Sequence, residues 1–156
     1  MKNFIKFIIS IIICQLAGII GSFFTVKSVS TWYLTLNKPS FTPPSWLFAP
    51  AWISLYFLMG VALFLVWSSS DPLKKRRPAI ILFGFQLFLN ALWSIAFFGL
   101  QSPLFGLIVI IVLWILILLT IIGFFKISKI AGWLLIPYIL WVSFATILNL
   151  AILVLN

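Results

Sequence analysis

LFGLIVIIVLWILILLTIIGFF, residues 104–125, contains no charged residue and only one hydroxyl, Thr120. A helix needs about 20 apolar residues to cross the hydrocarbon core of a bilayer, so this stretch predicts a membrane span. Outward from it the pattern repeats. Residues 4–26, 47–67, 79–99 and 131–154 are of similar length and character, and none of the five contains Asp, Glu or Arg. The only lysine within these limits is Lys6, close enough to an end to reach the interface. The expected fold is an all-α integral membrane protein, a single five-helix bundle over residues 1–156, with an ordered connector at 27–46.

Composition narrows the chemistry. Hydrophobic residues make up 65% of the 156 and charged residues only 7%, against about 25% charged in soluble domains. The charged set is ten Lys or Arg and one acid, Asp71, with no histidine and a net charge of +9. Carboxylate pairs, histidine-based triads and His or carboxylate metal sites are therefore excluded. The single cysteine, Cys14, lies in an apolar run and reads as a small hydrophobe. Aromatic residues reach 18% of the chain, so residue-borne function is expected to be aromatic and shape-based, with no obligatory cofactor.

Charge also orients the spans, because Lys and Arg are retained on the cytoplasmic face. Lys2, Lys6, Lys74, Lys75, Arg76, Arg77, Lys126 and Lys129 fall on the side of the N-terminus, against Lys27 and Lys38 on the other. The N-terminus is expected inside, with the C-terminus and the 27–46 connector outside, in what is expected to be a bacterial cell membrane. The KKRR run at 74–77 reads as topogenic charge rather than as a nucleic-acid or anionic-lipid patch, and no nucleic-acid partner is expected. The first span lacks a small-x-small cleavage site and reads as a retained helix.

Tryptophan normally sits at headgroup level. Trp32, Trp46, Trp67 and Trp133 fall at or beyond span ends, whereas Trp52, Trp93, Trp114 and Trp141 lie inside, where each indole N–H needs a partner. Gln86, Asn90, Trp93 and Ser94 share one helical stripe, Trp141, Ala145 and Asn149 another beside Pro137 and Tyr138, and Trp52 and Tyr56 a third. An amide facing lipid would be unsatisfied at a cost of several kcal/mol, so the stripes are expected to face inward. Two roles stay open for the amides, gluing helices together or lining a ligand cavity. Trp114, with no polar stripe around it, reads as packing.

Four blocks in order carry a resemblance: WYxxLxKPxFxPPxW (Trp32 to Trp46), PAWxxLYxLMG (Pro50 to Gly60), QLxLNxxWSxxFFG (Gln86 to Gly99) and PYxLWVxFAxxLN (Pro137 to Asn149). Together they resemble the tryptophan-rich sensory protein and translocator family, TspO/MBR, which includes the mitochondrial peripheral benzodiazepine receptor. The resemblance implies a five-helix bundle, commonly a homodimer, with a pocket for porphyrins and similar lipophilic molecules. It implies a sensor or scavenger of tetrapyrroles, in some members with light-dependent porphyrin degradation, or alternatively a passive transporter. Trp52 and Trp141 match the tryptophans implicated in photo-oxidation, Asn90, Ala145 and Leu148 match pocket-lining positions, and Trp93 matches a further contact. The candidate binding set is completed by Trp32, Lys38, Pro43, Pro44, Tyr56, Gln86, Tyr138 and Asn149. The sterol-recognition pattern is missing after Asn149, and without histidine a porphyrin would be held by stacking and shape. Lys38 is the best placed cation for its propionates, with Lys27 second, and a solvated loop charge is the open alternative for both. Pro39, Pro43 and Pro44 restrict the connector to extended or turning paths, which suits a semi-rigid lid.

Overall fold

The structure, a computed structural model, describes residues 2–156; Met1 and the side chain of Lys2, one of the basic residues counted above, lie outside the described part. Helix α1 covers Lys2–Val29, α2 is a single turn at Trp32–Thr35, and a 3-10 turn at Ser45–Leu47 leads into α3, Phe48–Trp67. Helix α4, Leu73–Ser94, continues as a π-helical turn at Ile95–Gly99; α5 is Pro103–Phe125, α6 Lys129–Leu134 and α7 Ile136–Leu155. Five spans follow from these elements: Asn3–Val29, Ser45–Trp67, Leu73–Gly99, Pro103–Phe125 and Lys129–Leu155. The protein is an integral membrane protein whose described residues form helices and connectors without strands.

The spans close into a ring in the order α1, α3, α6 with α7, α5, α4, and back to α1. Without a hydrophobic force between helices in lipid, close approach depends on small residues at the seams. On α1 the buried face is Ser10, Cys14, Ala17 and Gly21, while Ile5, Ile8, Ile12, Ile19 and Phe23 are exposed to the bilayer. Gly60 of α3 abuts the α1 backbone so closely that a Cβ there would lie 2.9 Å from the Ile11 Cα. Gly18 of α1 faces the Tyr56 ring with no room for a methyl group. Further round the ring, a Cβ on Gly106 of α5 would lie 2.9 Å from Asn149 Oδ1.

Helix α3 packs closely on α6 but only lightly on α7. The second and fifth spans therefore meet at the end of the bundle that carries the basic loops and splay apart toward the lid. That divergence positions the site.

Three element boundaries differ from the sequence expectation. Helix α4 begins at Leu73 rather than near 79, so the KKRR run is helical and Pro78 sits within the helix. Polar residues that read as connector need not stop a helix, and Pro78 forfeits only the one bond its N–H would make to the Lys74 carbonyl. The fifth span begins at Lys129 rather than 131, capped by Ser128 Oγ, which accepts from the Ala131 N–H at 3.3 Å. It is also interrupted at Leu135, just before Pro137, whose missing N–H weakens a continuous ladder. The first helix runs to Val29, and the 27–46 connector contains helical turns at both ends rather than extended chain alone.

Candidate functional site

Aromatic side chains from three helices converge beneath the connector. The Trp52 ring stacks on Tyr56 at 5.6 Å between centroids and approaches Trp93 at 6.3 Å, Tyr138 at 6.4 Å and Trp141 at 6.5 Å. Trp93 stacks in turn on Phe97 at 5.7 Å, and Phe97 meets Trp32 of α2 edge-on at 5.5 Å. At the other end Trp141 contacts Phe48 at 6.1 Å and Phe144 at 5.9 Å, and Phe144 meets Phe41 of the connector at 6.4 Å. A continuous arc of rings thus rises from the connector at Trp32, crosses the bundle, and returns to the connector at Phe41. These centroid separations fall within the range in which aromatic pairs attract.

Below the arc lies a buried polar chain. The Tyr56 hydroxyl donates to Asn90 Oδ1, the Asn90 amide donates to the Tyr138 hydroxyl at 3.0 Å, and that hydroxyl donates to Gln86 Oε1 at 2.9 Å. Three spans are tied by it. Asn149 Oδ1 accepts from the Trp93 indole at 3.3 Å and its amide donates to the Pro103 carbonyl at 2.8 Å, joining a fourth. Of the two roles open for the amides, the contacts present are those of interhelical glue. The exception is Gln86 Nε2, buried without a hydrogen-bond partner among the described residues.

Open space lies beside the arc. A groove of about 530 Å³ runs between α3 and α7 where they diverge, lined by Ala51, Ser54, Leu55, Leu58, Pro137, Leu140, Trp141 and Phe144. Its volume is within the usual range for small-molecule sites, about 300–1,000 Å³. It opens sideways, and its lining is almost wholly apolar. Trp141 is shared by the groove and the arc, and Trp52 stands directly behind it.

The connector covers the site under two restraints. Asn37 N–H donates to Asn156 Oδ1 at 2.9 Å, Asn156 Nδ2 donates back to the Asn37 carbonyl at 3.0 Å, and Asn37 Nδ2 reaches the Leu155 carbonyl at 3.3 Å. Lys38 closes a turn on itself: its ammonium donates to the carbonyls of Tyr33 at 2.7 Å and Leu36 at 3.2 Å, and lies 4.8 Å from the Tyr33 ring centre. It is thus committed to its own loop rather than directed at the groove. Tyr33 is buried against Phe97 and Phe98, and burial pushes its phenol above the usual range.

Of the residues singled out in the sequence, Trp52, Tyr56, Trp93, Tyr138 and Trp141 are brought together, with Asn90 and Gln86 beneath them. Ala145 and Leu148 are buried one and two turns further along α7. Trp32 joins through Phe97; Pro43 is half-buried, and Pro44, exposed, precedes the 3-10 turn. Trp114 does more than pack, since its indole donates to Ser143 Oγ at 2.7 Å. Sequence reasoning missed Phe48, Phe97 and Phe144. Phe48 and Phe144 stand four and three residues from Trp52 and Trp141, on the same faces, which is the signal that could have found them. Phe97 stands four residues beyond Trp93 on the Asn90 stripe, a spacing that could also have found it; in the π-helical turn the neighbouring Phe98 is buried as well, and its carbonyl accepts from Ser28 Oγ at 2.6 Å.

Five apolar spans, an aromatic arc and a laterally open apolar groove define a polytopic membrane protein built to hold a lipophilic molecule. The family profile of TspO/MBR matches residues 10–155, and the chain belongs to this family. It is 50% identical over 154 residues to the tryptophan-rich protein TspO of Archaeoglobus fulgidus, covering 99% of each chain. It is 39% identical over 125 residues to the tryptophan-rich sensory protein of Cereibacter sphaeroides, covering 80% of this chain and 77% of that one. The human translocator protein is 32% identical over 136 residues, covering 86% and 80%.

Proposed function

We propose that the chain is a membrane receptor for tetrapyrroles of the protoporphyrin type, acting as a sensor or scavenger, with the ligand seated in the α3–α7 groove against Trp141. The observation that carries this reading is the placement of Trp141 as both groove wall and arc member, backed by Trp52 at 6.5 Å. A porphyrin is a flat apolar disc, and an indole wall in an apolar slot offers it stacking and burial together. Its propionates would lie toward the lid, where Lys38 would have to exchange its loop carbonyls for a carboxylate. The bundle is taken to sit in a bacterial cell membrane, N-terminus inside and lid outside, and to pair as a homodimer. Light scattering of the detergent-solubilised protein tests the pairing.

Saturable binding of protoporphyrin IX in nanodiscs tests the seat. Ala51→Leu, which fills the groove from α3, is expected to weaken binding at least tenfold, a cost of about 1.4 kcal/mol. Unchanged affinity would remove the groove from the proposal.

Light-driven porphyrin loss is a second activity proposed for the same seat, in which the excited porphyrin activates dioxygen, dioxygen is the oxidant that adds to and opens the macrocycle, and Trp52 and Trp141 hold the ring in place. Illumination of wild type and the Trp52→Phe, Trp141→Phe double variant is expected to give faster decay in wild type; equal decay would exclude that role. The alternative reading is passive transport, suggested by the sideways opening of the groove. Without a charged side chain at mid-membrane there is no carrier for proton coupling. Porphyrin flux into liposomes above protein-free controls would favour it.

A further inference from the structure

At the opposite end of the bundle from the lid, a second cleft lies between α4 and α5. It has a volume of about 250 Å³ and is lined by Lys75, Pro78, Ala79, Leu82, Gly123, Lys126 and Ile127. Its floor is apolar and two lysines stand at its rim. Gly123 keeps it open: a Cβ there would sit 3.5 Å from the Ala79 Cβ, ordinary contact, so the glycine leaves space rather than permitting a helix crossing.

The electrostatics of this end are one-sided. Lys74, Lys75, Arg76 and Arg77 occupy the first turns of α4, where the helix dipole is positive, and the first turn has no acid. Lys126 caps α5 and Lys129 opens α6 close by. The one acid, Asp71, pairs with the Lys75 ammonium, accepting from it at 3.1 and 3.2 Å on its two oxygens. Lys126 is exposed. Four cations against a positive helix end are an arrangement that a bound anion would relieve.

We propose that this cleft is a binding site for an anionic phospholipid, its phosphate held between Lys75 and Lys126 and one acyl chain lying along Pro78, Ala79, Leu82 and Gly123. The occupant follows from position and chemistry: the cleft sits where apolar helix surface gives way to a basic rim, and a bilayer lipid presents an acyl chain below a charged head at that depth. A basic residue near an anionic leaflet is the general case, but two lysines across an apolar cleft bind one lipid at one place. The proposal is independent of the α3–α7 groove.

Native mass spectrometry of the full chain in detergent with phosphatidylglycerol or phosphatidylcholine is the test. One phosphatidylglycerol per chain is expected to be retained in preference to phosphatidylcholine. Lys75→Gln with Lys126→Gln, both at exposed positions, is expected to weaken that retention by roughly tenfold or more. Gly123→Leu, which fills the cleft without changing charge, is expected to do the same, while Lys74→Gln with Lys129→Gln, removing equal charge outside the cleft, leaves retention unchanged. Equal loss in the two charge-matched double variants, or equal retention of phosphatidylcholine, would overturn the site. Displacement by inorganic phosphate would reveal a bare anion site and overturn the lipid assignment.

Discussion

The Asn90 amide donates to the Tyr138 hydroxyl at 3.0 Å, joining the third span to the fifth at the centre of the bundle, while its oxygen accepts from Tyr56 of the second. All three residues are buried. Asn90→Ala would leave the Tyr56 hydroxyl without its acceptor and the Tyr138 hydroxyl with Gln86 alone, and an orphaned buried group costs about 1–3 kcal/mol. A lower thermal midpoint in detergent is expected, with near-native helix content below the transition. A midpoint equal to wild type would show that the chain of bonds contributes nothing.

Gly18 and Gly84 make opposite predictions for one substitution. Gly18→Ala drives a methyl group into the Tyr56 ring, and overpacking of this kind costs about 1–3 kcal/mol. Gly84→Ala meets nothing within 4 Å and gains helix propensity of up to about 1 kcal/mol. Thermal unfolding of the two variants should therefore move in opposite directions from wild type.

The Asn37–Asn156 pair holds the lid to the last turn of α7. Asn37→Ala keeps the backbone N–H and carbonyl but removes the amide reaching Leu155. Hydrogen exchange of the amides around residues 36–42 is expected to quicken, while exchange in α5 stays as it is. No change in the lid would mean that the amide contact to Leu155 adds nothing to the backbone bonds with Asn156.

Tyr33 carries a pH signature. Burial raises its phenol above the ordinary value of about 10, so the folded state favours the neutral form. The stability this contributes is fully present below pH about 10 and is lost as pH climbs through the raised value. The difference in phenolate absorbance between wild type and Tyr33→Phe should show a phenol titrating above 10, and the variant should lose less stability on going alkaline. A midpoint at or below 10 would contradict the burial of this side chain.

The spans and the inward stripes were legible because lipid imposes a strong rule: apolar residues outside, amides inside, charge at the ends. Gln86, Asn90 and Trp93 on one stripe, and Trp141, Ala145 and Asn149 on another, could be placed from spacing alone. Their partners could not, since a hydrogen bond between Asn90 and Tyr138 depends on which helices adjoin and at what height. The helical KKRR run was hidden because charge reads as connector whether or not the backbone is helical. The π-helical turn at Ile95–Gly99 was hidden because it breaks the 3.6-residue spacing on which stripe arguments rest. Lys38 read as a free cation because its turn onto Tyr33 and Leu36 is a loop conformation with no periodic signature.

The central claim is that Trp141 and Trp52 form the indole wall against which a tetrapyrrole stacks. Its most direct test is a tryptophan-fluorescence titration with protoporphyrin IX on wild type, Trp141→Phe with Trp52→Phe, and Trp114→Phe. Saturable quenching in wild type and in Trp114→Phe, with weakened affinity in the double variant, is the expected result; the same affinity in all three would contradict the account.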